Sequence, residues 1–348
     1  MKFRPRALAG LAMAAAATLS MAACGTSANS AGASGAATPG TTITVYNAQH
    51  ESLTKEWIDA FTAETGIKVD YRQGDDTEMS NQIVQEGANS PADVFLTENS
   101  PAMTQVENAG LFTDIDPATI AQVPAEYRPS TNKWIGIAAR STVFAYNKDK
   151  LSQDQLPKSI MDLEKPEWKG RWAASPSGAD FQAIISAMLE LKGESATGDW
   201  LKAMKDNAKA YKGNSTAMKA VNAGEVEGAV IYHYYWFGDQ AKTGENSKNV
   251  GLEYFKNQDP GAFVSVSGGG VLKSSKKQAA AQAFLKFVTG KKGQEVLQKG
   301  TSFEYAVGSD VPSNDKLVPL KDLDAPKVDP AKLNSKKVND LMTSAGLL

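Results

Sequence analysis

Residues 43–98 read ITVYNAQHESLTKEWIDAFTAETGIKVDYRQGDDTEMSNQIVQEGANSPADVFLTE, and the order of patterns along them sets the fold. Ile43–Tyr46 is a short run of β-branched and aromatic residues, the mark of a strand. After the loop NAQHES, the residues Leu53, Trp57, Ile58, Phe61 and Thr62 recur at helical spacing and stop at Gly66. Ile67–Tyr71 is strand-like again. Met79–Glu86 reads as a helix that runs into the breaker Gly87–Pro91, and Ala92–Leu96 (ADVFL) has the apolar continuity of a buried strand. A β-α-β-α-β order implies an α/β fold with a mostly parallel sheet. Ligands of such sheets bind beyond the carboxyl ends of the strands. His50 and Glu98 occupy two such positions.

The pattern continues downstream. Gly136–Tyr146 (GIAARSTVFAY) reads as a long strand. Trp168–Trp172 leads into a second strand–helix unit, with the loop Ser175–Asp180 (SPSGAD) and a helix from about Phe181 to Leu191. Trp200–Asn207 is amphipathic. Ala229–Tyr232 is a short apolar strand followed at once by aromatic residues. Ala262–Leu272 is strand-like around Gly268–Gly270, Gln278–Val288 and Gly293–Gln298 read as helices, and the region from Val311 reads as loops and a last helix. The long strands around Arg140 and Val266 are the candidates for crossing between two lobes.

The first residues stand apart. Met1–Arg6 carries three cations and no acid, and the uncharged run Ala7–Ala23 follows it, the layout of a secretory signal. Cys24, after Met21-Ala22-Ala23, resembles the lipidation site of a bacterial lipoprotein. The alternative is an ordinary cleaved signal with a chance Cys. The sole Cys of the chain falls at the one position lipidation needs, which favours the anchor. Residues 25–41 hold no charge, no large apolar side chain and no period, so 24–41 reads as a lipidated Cys and flexible tether. No later stretch is long and apolar enough to span a bilayer.

Composition closes off several classes. The 348 residues are 42% hydrophobic, enough for a sizeable core in about two domains. With 37 Lys and Arg against 39 Asp and Glu, no basic footprint for nucleic acid exists. Loss of residues 1–23 leaves 34 cations against 39 acids, a net charge of -5. One Cys and two His exclude an intrachain disulfide, Cys clusters and poly-His zinc sites. A phosphate-binding Gly-rich loop and a Gly-x-Ser-x-Gly elbow are both missing, so an enzyme is poorly supported.

The densest cluster is Tyr232-His233-Tyr234-Tyr235-Trp236-Phe237. It reads either as an aromatic packing cluster or as a metal site. Adjacent residues of a strand face opposite ways, so Tyr234 and Tyr235 can share a ligand only if the strand breaks there, as at a strand-to-helix turn. His50 could satisfy a loop, Glu98 could favour a helix start, and Arg140, mid-strand, needs a carboxylate or an anion.

These residues carry a resemblance. ITVYNAQH (43–50), ETGIKV (64–69), PADVFLTE (91–98), LKGE (191–194), Asn214-Ser215, Ile231–Trp236, Asp259–Ala262 and VLKSS (271–275) match, in order, the ferric-ion-binding substrate-binding proteins of bacterial iron(III) ABC transporters. The resemblance implies a two-lobed type II periplasmic-binding-protein (Venus flytrap) fold, hinged by two crossing strands. Lobe 1 would be residues 42–140 plus about 266–315, and lobe 2 residues 141–265 plus about 316–348. It implies Fe3+ held by His50, Glu98, Tyr234 and Tyr235. Two phenolates and a carboxylate balance the ion's charge, and hard ferric iron favours anionic oxygen. A synergistic anion, phosphate or carbonate, would complete the set on Ser177, Gly178, Ala179, Asn214, Arg140 and Asn99. Three departures put the anion in question: Asn99 stands where relatives often have Gln, Tyr232-His233 where they have Asn-Asn, and SPSGAD differs from their loop.

The implied protein is exported, lipid-anchored through Cys24 to the outer face of the cell membrane, monomeric, and serves an inner-membrane ABC permease with its ATPase. A binding protein for an organic ligand or oxyanion, with the Tyr pair stacking, is the alternative within the fold. A secreted metal-dependent hydrolase is the alternative outside it.

Overall fold

The computed structural model describes residues 37–348. The expected signal sequence 1–23, Cys24 and most of the expected tether lie outside the described residues. The expected tether extends to Thr41, yet residues 37–41 are held: Gly40 N–H donates to Gly66 O at 3.0 Å, and Thr41 O accepts from Lys68 N–H at 2.8 Å. The turn that ends the first helix offers the carbonyl that captures this segment.

The elements run β1 (Thr42–Asn47), α1 (Glu51–Thr65), β2 (Lys68–Gln73), α2 (Asp76–Glu86), β3 (Val94–Leu96), α3 (Ser100–Asn108), α4 (Pro117–Ile120) and β4 (Ile135–Asn147). There follow β5 (Trp172–Ala174), α5 (Ala179–Asn207), β6 (Ala208–Ala210), α6 (Asn214–Asn222), β7 (Gly228–Tyr232), α7 (Tyr234–Lys242), β8 (Val250–Glu253) and β9 (Val264–Val271). The last are α8 (Gln278–Thr289), α9 (Lys291–Lys299) and α10 (Ser335–Ser344).

The sheet order is β2-β1-β3-β9-β4-β7-β5-β6, with β8 also pairing β4. The expectation of a mostly parallel sheet needs correction. Each end is parallel, β2-β1-β3 and β7-β5-β6, but β9 and β4 run antiparallel to their neighbours through the centre. Strands that carry the chain from one half to the other and back must oppose each other. β4 divides its pairing between the halves: Ile135–Ser141 lies against β9, and Thr142–Asn147 lies against β7 and β8. All thirteen of its residues are buried.

Helix α1 shows how local sequence makes these layers. Leu53, Trp57, Ile58 and Phe61 form its buried stripe, and Gly66 ends it with φ 71°, a left-handed conformation that a side chain would strain. Phe61 meets Phe284 of α8 edge-on at 5.1 Å, and burying such a ring contributes roughly 1.5–3 kcal/mol. Trp57 satisfies its indole N–H on Gly293 O at 2.8 Å. In the centre of β9, Gly268 and Gly269 leave no room for side chains: a Cβ would come within 2.4 Å of Met103 and 2.7 Å of Leu285 respectively. Two readings of element length also change. The helices read near 181–191 and 200–207 join as α5, kinked at Gly193, and α6 and β8 had no clear signal.

Candidate metal centre

The loop between β1 and α1 presents His50. Gln49 Oε1 accepts the His50 N–H at 2.7 Å, and His50 O accepts from Thr54 N–H at 3.0 Å in the first turn of α1. Glu98 follows β3 by two residues. Its backbone is clamped by Asp76 at the start of α2, whose Oδ1 accepts Glu98 N–H at 2.9 Å and whose Oδ2 accepts Asn99 N–H at 3.0 Å. The Tyr pair sits where β7 ends and α7 begins, with His233 between them and the strand. That is the break the pair needs to face one point, and the two rings lie 4.3 Å apart.

The structure brings all four together. His50 Nε2 is 3.0 Å from Glu98 Oε1. The His50 ring meets Tyr234 edge-on at 5.0 Å. Tyr234 and Tyr235 both donate their hydroxyls to one oxygen, Asp180 Oδ2, at 3.0 Å each. Among the described residues, no three His, Cys, Asp or Glu side chains make a metal-holding group by themselves. The site is a metal centre only if the phenols join it.

Asp180 was read as no more than the end of a loop. It lies in the first turn of α5, where the helix favours a carboxylate. Asn99 Nδ2 donates to its Oδ1 at 2.9 Å and Asn214 Nδ2 to its Oδ2 at 2.8 Å. Asn99 and Asn214, expected on an exogenous anion, thus hold a carboxylate of the chain itself. Gly178 is the residue before α5, Ala179 opens the helix, and Ser177 is exposed on the loop. Gly178, Ala179, Asp180 and Asn214 line a cavity of about 230 Å3 together with Glu98 and Tyr235. A larger cavity of about 1000 Å3, between the 124–130 loop and residues 320–332, lacks this buried donor set.

Arg140 is fully buried in β4 and pairs with carboxylates, the alternative to an anion. It bonds Glu304 through Nη2, and its Nη1 is 3.4 Å from Glu98 Oε2 and 4.0 Å from Asp180 Oδ1. Glu304 had no assigned role in the sequence reading. An acid inside the apolar run Phe303–Val307, in a chain with an unpaired mid-strand Arg, was the signal available. Its Oε1 lies 3.1 Å from His50 Nδ1. Neither member of Tyr232-His233 offers itself as a ligand. Tyr232 donates to Asn99 Oδ1 at 3.4 Å. His233 accepts the Ser141 N–H at 3.1 Å on Nδ1, and its Nε2 is 2.8 Å from Phe303 O.

The charges follow from these partners. Burial opposes a protonated His50, but Glu98 and Glu304 outweigh it and raise its pKa to about 10. Burial would raise Glu304, yet Arg140 and His50 bring it down to about 2. Burial, then Asp180, hold the phenols of Tyr234 and Tyr235 well above the ordinary value of 10.0. Burial and Glu98 raise Asp180 in spite of Arg140. Burial depresses His233 to about 4, so that ring is neutral. A trivalent cation entering here meets oxygen donors whose protons it must displace.

A two-lobed α/β body with such a cleft is the architecture of solute-binding proteins, and the chain belongs to the family described as bacterial extracellular solute-binding proteins, whose profile matches residues 89–333. It is 71% identical over 306 residues, 88% of this chain and 90% of the relative, to the Fe(3+)-binding periplasmic protein of Serratia marcescens. It is 36% identical over 316 residues, 90% of this chain and 95% of the relative, to the major ferric iron-binding protein of Neisseria meningitidis serogroup B. The structure of iron-bound HitA from Pseudomonas aeruginosa superposes with a TM-score of 0.84 at 42% identity, covering 88% of this chain and all of that one. The relatives are solute-binding proteins, not enzymes.

Proposed function

We propose that this chain captures Fe3+ through His50, Glu98, Tyr234 and Tyr235, with Asp180 in the place of an exogenous anion. The observation that carries the reading is the convergence of two phenol hydroxyls on one buried carboxylate, beside a His–Glu pair. Phenolate and carboxylate oxygen suit a hard trivalent ion. The ferric-binding relatives support the same cargo. Asp180 already receives both phenols and both Asn side chains, so it can enter the ligand set without rebuilding the site. Phosphate or carbonate then loses the seat that Asp180 fills.

Iron would bind as the lobes close, since His50 and Glu98 come from the β1–β3 half and the Tyr pair from the β7 half. We place the hinge where β4 changes partners, at Ser141–Thr142, and where β9 begins. Lobe 1 is then residues 42–140 plus about 266–315, and lobe 2 residues 141–265 plus about 316–348. Delivery would be to an inner-membrane ABC permease with its ATPase, by a monomer tethered through lipidated Cys24 to the outer face of the membrane.

The test is a visible spectrum of the metal-stripped chain from Gly25 onward, titrated with ferric citrate. A saturable band at one iron per chain, absent when Tyr234 and Tyr235 are both changed to Phe, is expected. No band and no retained metal would remove the iron reading and return the Tyr pair to aromatic packing.

A further inference from the structure

We infer that Glu304 is the positioning residue of His50: its Oε1 holds the Nδ1 edge of the imidazole and turns Nε2, beside Glu98, to the metal. The inference rests on the iron reading above and names a residue outside its ligand set. Glu304 is fully buried in the segment after α9. Its Oε2 is taken: Arg140 Nη2 bonds it, Ser267 Oγ donates at 3.2 Å and Gln49 Nε2 at 3.3 Å. Its Oε1 is buried without an aligned hydrogen bond, and the group facing it is His50 Nδ1, 3.1 Å away.

The segment carrying Glu304 cannot follow the ring. Tyr305 N–H donates to Ala139 O at 2.8 Å, and Ala139 N–H donates to Tyr305 O at 3.0 Å, tying it to β4 on one side. His233 Nε2 on Phe303 O ties it on the other. The imidazole is therefore flanked by two unequal carboxylates. Glu304 is sealed and pinned, whereas the Glu98 side chain is 23% exposed in the cleft. An ion arriving through the cleft can displace a proton only from Nε2. A neutral imidazole that ligates through one nitrogen keeps its proton on the other, and a fixed acceptor there sets the tautomer and the ring's orientation.

Glu304→Gln discriminates this role from packing. Arg140 has only N–H groups to offer, so the amide oxygen of Gln must face it, and the amide NH2 is left facing Nδ1. That donor makes Nδ1 the acceptor, places the ring proton on Nε2 and blocks the ligand position. Fe3+ affinity would be measured by citrate competition on the soluble chain from Gly25, as wild type, Glu304→Gln, His50→Ala and the double variant. We expect Glu304→Gln to weaken binding about 10–100-fold in the wild type, and to change nothing in the His50→Ala background. An equal loss in both backgrounds, or none in either, overturns the role. Should Glu304→Gln fail to fold, the wild type loaded with diamagnetic Ga3+ and labelled with 15N-histidine decides. The chain has only two His, and the proton of His50 should lie on Nδ1. A proton on Nε2 overturns the inference. A wild type with no visible band fails differently, taking down the iron reading and this inference with it.

Discussion

Iron binding near neutral pH should release at least three protons per ion. His50, with a pKa of about 10, carries a proton on Nε2 that must leave before the nitrogen can ligate. Tyr234 and Tyr235, held above the ordinary phenol value, each carry one more. The slope of log K against pH equals the number of protons released, so affinity rises with pH and falls in acid. Three protons make each pH unit worth about a thousandfold in affinity, or about 4 kcal/mol. The assay is a pH-stat titration of metal-stripped chain with ferric citrate, with the protons of the chelator alone subtracted. It is paired with competition constants at about pH 6.5 and 7.5. His50→Ala should lower the count by one. Fewer than three protons from the wild type, or a count unmoved in His50→Ala, would refute the protonation states derived for the apo site.

Asp180→Ala should convert an anion-indifferent site into one whose affinity and visible band depend on added phosphate or carbonate. A wild type that itself depends on phosphate counts against Asp180 as the resident donor. Glu304 should stabilise the fold in an acid-sensitive way: its pKa is lowered from 4.5 to about 2. The contribution is full above pH 4.5 and lost as pH falls through about 2. It amounts to at most about 3 kcal/mol. Urea unfolding of wild type over that range should show the loss, and Glu304→Gln should lack that part of the pH dependence. Cys24→Ser should move the expressed protein from the membrane fraction to the soluble one, and a variant that stays with the membrane contradicts lipid anchoring there.

The β2-β1-β3 end of the sheet was legible because its strands and helices alternate locally, whereas β6 and α6 at the other end left no signal. The centre of the sheet was not legible either: β9 and β4 pair across more than a hundred residues, and nothing in either run states its direction. The site divides in the same way. His50, Glu98 and the Tyr pair each abut a strand end, where chemistry is expected, and so they stand out by position. Asp180 and Glu304 carry no such mark, and Asp76, though three residues past β2 as His50 is past β1, lies in a run that reads only as the approach to a helix. Asp180 becomes a site residue only when α5 turns its first residues toward Tyr235, and Asp76 only when α2 brings its carboxylate under the backbone of Glu98. Arg140 and Glu304 were each anomalous alone, a charge within an apolar run. Their pairing across 164 residues resolves both anomalies.

The bare stretch of β9 has a mechanical meaning. Side chains are compliant spacers, able to change rotamer when neighbouring layers shift. At Gly268 and Gly269 there are none, so Met103 and Leu285 bear directly on main chain from opposite faces. The same stretch is bonded to the root of the Glu98 loop, through Thr97 N–H on Gly268 O at 2.9 Å and the pairing of Leu96 with Gly269. A loop rooted in so stiff a support has little slack. Glu98 is thereby held to one place against β9, with no side chain between to absorb a shift.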